Sequence, residues 1–351
     1  MFSRLSIPTI LAAVAIAAPT AAQTAVQGTW TVELHTGKAF LQLRTDPPPD
    51  RERSNDWNGG WSMGQSLDLD QVAGLPPNDD HFSATNVKFE VRREAGMLAF
   101  EGSFRDGRGA GLFTFAPRGE FTAEMRRLGY TEEIPLWQRY QFAVQDVGPR
   151  YINALKAEGY DKLTLEQVRR ARNHGLTIDY IKAMKAEGYR AATLEDFVRT
   201  RDHGVTVAYV QDMRKAGFRD ATIEDLVRAK DHGVTAQYVQ EMRGLGPNVS
   251  ALEGFVRLKD HGVTPAYVKD LAAQGFKNVS LEEAVRTKDH GVSSDYIADM
   301  KQLGLKDLTL EQIVRLRDHG VTPGFVSHAR ARGYKPADAE ELIRLKNRGL
   351  L

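Results

Sequence analysis

Histidine followed by glycine recurs at His174, His203, His232, His261, His290 and His319, each 29 residues from the next. A fixed period of that length marks a repeat array, in which each unit is a supersecondary element unable to bury its apolar face alone. Counting back from the histidine, apolar residues stand nine, six and five positions earlier, as in Leu194, Phe197 and Val198, which is the stripe of a buried helix face. Thr164, Thr193, Thr222, Ser280, Thr309 and Asp338 precede these stripes as N-caps, with Ala251 the exception. Glutamate and arginine follow at i,i+4 in every unit: Glu195 and Arg199, Glu224 and Arg228, Glu253 and Arg257, Glu282 and Arg286, Glu311 and Arg315. That order on one helix predicts intrahelical ion pairs.

The histidine and its glycine end this first helix. Glycine suits the left-handed position just past a helix, and histidine in the last turn is expected to act as a structural C-cap on free carbonyls and the helix dipole. Thr206, Thr235, Thr264, Ser293 and Thr322 then cap a second helix, twice with proline at its first position, Pro265 and Pro323. Each unit is therefore a hairpin of two short helices, and the units are expected to stack as an α-solenoid with atypical ends. The stretch "TEEIPLWQRYQFAVQDVGPR" lacks the signature, and Arg348 fills the last histidine slot, leaving an exposed C-terminal helix as a possible self-association surface.

Ahead of the repeats the period changes from helical to two. "TWTVELHT", "NVKFEVRRE", "MLAFEGSF" and "GLFTFAP" read as strands, with Asp106-Gly107 as a hairpin turn between the last two. "DPPPDRERSNDWNGGW" reads as a long polar loop. The opening "MFSRLSIPTILAAVAIAAPTAAQTAV" has the basic start, apolar stretch and small residues of a secretory signal cut near Ala22. The expected organisation is α+β and multidomain: a signal peptide over 1–22, a small antiparallel β domain over 23–120, and an α-solenoid over 121–351 whose first part, 121–150, is a capping unit.

Composition narrows the chemistry. The chain has 47 Lys and Arg against 46 Asp and Glu, a formal charge of +1, so no strong field favours nucleic acid or an anionic membrane. It has no cysteine, which excludes disulfides, thiol catalysis and cysteine metal sites. No segment after the leader reaches the roughly 20 apolar residues of a membrane span. Equivalent histidines in stacked helices stand about 10 Å apart, too far to share a metal, and no cofactor is expected. The neighbouring Asp202, Asp231, Asp260, Asp289 and Asp318 are repeated without a nucleophile, which argues against catalysis in the repeats. Arg201, Lys230, Lys259, Lys288 and Arg317 form a basic ladder that is the candidate interaction surface. In the β domain, Trp57 and Trp61 are candidate ligand contacts in a polar loop, and His35, His81 and Asp80 are the candidates should the protein be an enzyme with a site at the domain junction.

The "RDHGVT-x-x-Y" units following "FEGSFRDGRGAGLFTFAP" resemble exported bacterial repeat proteins and extracytoplasmic regions joined to BlaR-type M56 peptidases. The chain lacks the HExxH zinc motif of such peptidases, so the resemblance implies an envelope sensing or protein-interaction role and not catalysis. "GTW" at Gly28 is similar to the opening of lipocalins and avidins, yet roughly 90 residues is short for such a barrel. The expected function is a periplasmic or secreted, non-enzymatic scaffold that binds another protein. The alternative is a module for cell-wall glycan or a small ligand at Trp57 and Trp61.

Overall fold

A computed structural model describes residues 25–45, 61–76, 79–246, 249–334 and 338–349. The expected signal peptide and Trp57 lie outside the described residues. The chain divides into two compact units, Met1–Asn153 and Ala154–Leu351.

The first unit is built on six antiparallel strands: β1 (Val26–His35), β2 (Lys38–Thr45), β3 (Trp61–Asp68), β4 (Ala84–Arg93), β5 (Gly96–Arg105) and β6 (Arg108–Pro117). Their order across the sheet is β3-β2-β1-β6-β5-β4. The Asp106-Gly107 turn has positive φ at both residues, 49° and 73°, as expected of a two-residue hairpin. Thr36-Gly37 makes the equivalent turn between β1 and β2. Alternation puts Trp30, Val32, Leu41, Leu43, Phe89, Phe100 and Phe113 on one buried face. Trp30 is its centre: the indole lies beside Phe89 at 5.0 Å and donates to the carbonyls of Glu101 and Leu112 at 3.2 and 3.0 Å. It fits because Gly102 of β5 faces Gly111 of β6, and a Cβ on Gly102 would come within 2.7 Å of the indole.

Helices α1 (Phe121–Arg127) and α2 (Leu136–Gln145) follow the sheet. Tyr140 of α2 stacks on Phe113 at 5.8 Å, so α2 closes the buried face of the sheet. The stretch 121–150, expected to cap the repeats, therefore packs with the sheet, and the division between units falls within α3 (Pro149–Ala157), not at residue 120. Tyr140 and Phe142 bury completely, and that aromatic content is what recruits the segment to an aromatic core.

The second unit is an array of helical hairpins. First helices are α4 (Leu165–Asn173), α6 (Leu194–Asp202), α8 (Ile223–Asp231), α10 (Leu252–Asp260), α12 (Leu281–Asp289), α14 (Leu310–Asp318) and α16 (Ala339–Asn347). Second helices are α5 (Ile178–Ala186), α7 (Val207–Lys215), α9 (Ala236–Arg243), α11 (Pro265–Ala273), α13 (Ser294–Gln302) and α15 (Pro323–Ala331). First helices pack on first helices and second on second. The expected N-caps are in place: Thr193 accepts from the Asp196 amide at 3.1 Å, while the Asp196 carboxylate accepts from the Thr193 amide at 2.8 Å. Only Ala251 among the expected cap positions makes no side-chain cap bond. At Gly204, φ is 66°, and the reversal it permits lets the Val205 amide donate to the Thr200 carbonyl at 2.8 Å. That pattern is a Schellman motif. Leu194, Phe197, Val198, Val205, Val210 and Met213 of this unit are buried, each worth about 1.5–3 kcal/mol on burial.

Candidate interaction surface

Apart from the helix caps, the constant polar residues of the repeat act mainly between units. Each reaches the next, and the contacts form parallel ladders along the array.

The histidines stand at the C-cap position of their helices, but their rings do not turn back to the helix carbonyls. His203 Nδ1 meets the Asp231 carboxylate at 2.8 Å and His261 Nδ1 meets Asp289 at 2.8 Å. His174–Asp202, His232–Asp260 and His290–Asp318 repeat the contact. A carboxylate only accepts, so Nδ1 carries the proton in each pair. His319 meets the amide oxygen of Asn347 at 3.2 Å instead.

The expected i,i+4 pairs are replaced by pairs between units. Arg170 meets Glu195 at 2.9 Å, Arg228 meets Glu253 at 2.9 Å and Arg286 meets Glu311 at 2.8 Å. Arg199–Glu224, Arg257–Glu282 and Arg315–Glu340 complete the series. The reason is geometric: the next first helix lies alongside, and its glutamate reaches the fork of the guanidinium in two-point contact, as Arg170 Nε and Nη2 do with Glu195.

The basic ladder is likewise occupied. Arg201 lies over the Tyr180 ring at 5.3 Å, Lys230 over Tyr209 at 5.0 Å, Lys259 over Tyr238 at 4.4 Å, Lys288 over Tyr267 at 4.8 Å and Arg317 over Tyr296 at 5.0 Å. The cations remain exposed or, for Lys259, half-exposed, yet each is stacked on an aromatic face of the preceding unit.

Two further ladders had no sequence-based assignment. The hydroxyls of those tyrosines donate to the carbonyl that follows the next unit's His-Gly turn: Tyr180 to Val205 at 2.7 Å, Tyr209 to Val234 at 3.0 Å, Tyr238 to Val263 at 2.8 Å, Tyr267 to Val292 at 3.0 Å and Tyr296 to Val321 at 2.7 Å. Burial pushes the Tyr296 phenol up to about 12 and raises Tyr180, Tyr209, Tyr238 and Tyr267 as well, so all five remain donors at neutral pH. The fixed tyrosine three residues after each cap was the available signal, broken by Phe325. The second ladder joins second helices: Arg214 donates to the Glu187 carbonyl at 2.8 Å, and Lys185, Arg243 and Lys301 reach the equivalent C-terminal carbonyls of their neighbours. Ala272 breaks that column.

No family model, curated protein or solved structure matches this chain.

An exposed ion pair contributes about 0–1 kcal/mol, less than one buried Phe197 or Val198. The ladders therefore set the register of the units more than they hold them together. They also leave one face without a repeated task. On the second helices the position two after the cap is exposed in every unit and takes four residue types over six units: Asp179, Ala208, Gln237, Ala266, Asp295 and Gly324.

The remaining candidates fall in the first unit. Trp61 opens β3 and meets Trp137 at 5.3 Å and Tyr140 at 5.5 Å, so its half-buried ring packs α2 against the sheet instead of standing free in a loop. His81 Nδ1 contacts Asp106 at 2.5 Å, and that hydrogen bond raises the imidazole above its ordinary 6.5. The two side chains are 85% and 75% exposed, so no cleft encloses the pair. Asp80 accepts from the Thr36 amide at 2.9 Å and ties its loop to the β1–β2 turn, where His35 ends β1. The last helix, α16, buries Ala339, Leu342, Ile343 and Leu345 and keeps Glu341, Arg344 and Asn347 exposed. No helix among the described residues is long and apolar enough to cross a membrane.

Proposed function

We propose that the protein is a periplasmic or secreted, non-enzymatic scaffold whose helical array binds another protein through the outward face of its second helices. The supporting observation is the division of labour within the repeat. The constant His, Asp, Arg, Glu and Tyr residues are engaged in unit-to-unit ladders, whereas the exposed position two after each second-helix cap varies among Asp, Ala, Gln and Gly and has no part in them. Stacked repeats present an extended surface, and positions free of the stacking contacts can vary along it to suit a partner. The proposed surface is distinct from the basic ladder, whose cations are stacked on rings. The export leader and the resemblance to extracytoplasmic repeat proteins support an envelope location and an interaction role.

The test is affinity capture from envelope extract with the full chain, followed by mass spectrometry, beside the variants Ala208→Arg and Ala266→Arg. A polypeptide retained by the parent chain and lost with these variants supports the proposal. A polypeptide retained equally by all three, or none retained by the parent, contradicts it.

A further inference from the structure

The outward face of the sheet carries a groove defined by strand register. Gly64 of β3 lies opposite Gln42 of β2, Gln42 opposite Thr31 of β1, Thr31 opposite Ala110 of β6 and Ala110 opposite Ser103 of β5. All five are exposed, small or uncharged, and they form a straight row across five strands. Two residues away on one side runs a row of longer side chains, Phe40, Glu33, Arg108 and Arg105; on the other run Arg44, Thr29, Leu112, Glu101 and Lys88, with Thr29 its one short member. The row is therefore a floor between two walls. Strand spacing makes it about 19 Å long, with the walls about 14 Å apart at the backbone. Two depressions lie along it: one of about 690 Å³ bounded by Thr31, Phe40, Gln42, Gly64 and Arg108, the other of about 480 Å³ bounded by Ser103, Glu101, Lys88 and Leu112.

We infer that this groove binds a linear oligosaccharide lying across the strands. Its floor offers hydroxyl and amide groups, from Thr31, Ser103 and Gln42, that match sugar hydroxyls in both donor and acceptor roles. Its walls offer the two most exposed large apolar groups of the sheet, Phe40 at 46% and Leu112 at 58%, one on each side for the C–H faces of sugar rings. The wall charges are largely internal: Arg108 pairs with Glu33 at 3.2 Å and Lys88 with Glu101 at 3.9 Å. Among the described residues Arg44 and Arg105 form no ion pair, and they stand diagonally across the groove as forked donors for sugar oxygens. This balance suits a hydroxyl-rich ligand better than a strongly charged chain. The site is on the face opposite Trp61 and is independent of the protein-binding surface on the second helices.

The test is isothermal titration of the full chain with cellohexaose, chitohexaose, xylohexaose, maltohexaose and a hexagalacturonate at millimolar concentration, with a neutral Gly-Ser-Thr hexapeptide as the comparison. At least one sugar is expected to bind. Phe40→Ala should weaken that binding at least tenfold, and Ala110→Arg, which fills the floor from an exposed position, should abolish it, with both variants retaining the parent melting temperature. Absence of binding by every sugar, binding of the peptide alone, or sugar binding unchanged in both folded variants would overturn the inference.

Discussion

In the sheet unit, Gly102 and Gly111 have no left-handed backbone and are required because a Cβ would strike a neighbouring carbonyl, at 2.2 Å from Ala110 and 2.0 Å from Glu101. In the array, Gly233 has open space where its Cβ would be and is required for its φ of 67°. The same residue serves close packing in one unit and chain reversal in the other. Aromatic rings divide the same way: Trp30, Phe89, Phe100 and Phe104 form one cluster, while Tyr180, Tyr209, Tyr238, Tyr267 and Tyr296 each join their own unit to the next. The sheet depends on a single shared core. The array distributes its stability over many like interfaces, and that distribution lets surface positions vary without loss of fold.

The largest effect that sharpens this contrast is expected at Trp30. Trp30→Ala should cost about 3–5 kcal/mol, read as an earlier chemical-denaturation midpoint in near-ultraviolet circular dichroism. A cost below 1 kcal/mol would deny the sheet its shared core. In the array a local repair should give a local gain. Ala251→Thr supplies the missing N-cap of α10 and should stabilise the protein by about 1 kcal/mol, seen as a higher thermal midpoint; a loss would show that the site rejects the cap geometry. A smaller effect separates contacts between units from contacts within them. Arg199→Glu should cost about 0.2–1 kcal/mol, recovered by adding Glu224→Arg and not by adding Glu195→Arg. Recovery by Glu195→Arg would restore the intrahelical pair.

The smallest effect belongs to the exposed pair on the sheet. His81 is held above 6.5 by its hydrogen bond to Asp106, so its contribution is complete below the unfolded-state value and is lost as pH rises through the folded one. Proton-coupled NMR should show His81 titrating above 6.5 and Asp106→Asn returning it towards that value. An unchanged titration in Asp106→Asn would assign the shift to another cause.

Local rules made most of the fold legible. Cap residues, the His-Gly helix ends and the Asp106-Gly107 turn follow from chemistry within a few residues, and the structure places each where the pattern put it. The partners of the constant polar residues were not legible, because Arg199 and Glu224 are 25 residues apart and meet only once the stacking of units is known. Proximity in sequence favoured Glu195, and the bidentate reach to a neighbouring helix prevailed. Tyr238 showed its ring in the apolar stripe, while the use of its hydroxyl depended on a carbonyl in the next unit. Nothing next to Trp61 in the sequence marks it as a packing residue, because its partners Trp137 and Tyr140 stand 76 and 79 residues away. The sheet groove was hidden for a related reason: its floor exists only in the register of five strands.

Constant residues join the units, and the proposed role of the varying outward residues is to meet a partner. The direct measurement compares thermal midpoint and partner capture for Tyr238→Phe with those for Ala208→Arg combined with Ala266→Arg. Tyr238→Phe is expected to lower the midpoint and retain capture below it, and the arginine pair to keep the midpoint and lose capture. Capture lost with Tyr238→Phe in the folded protein, and retained by the arginine pair, would contradict that role.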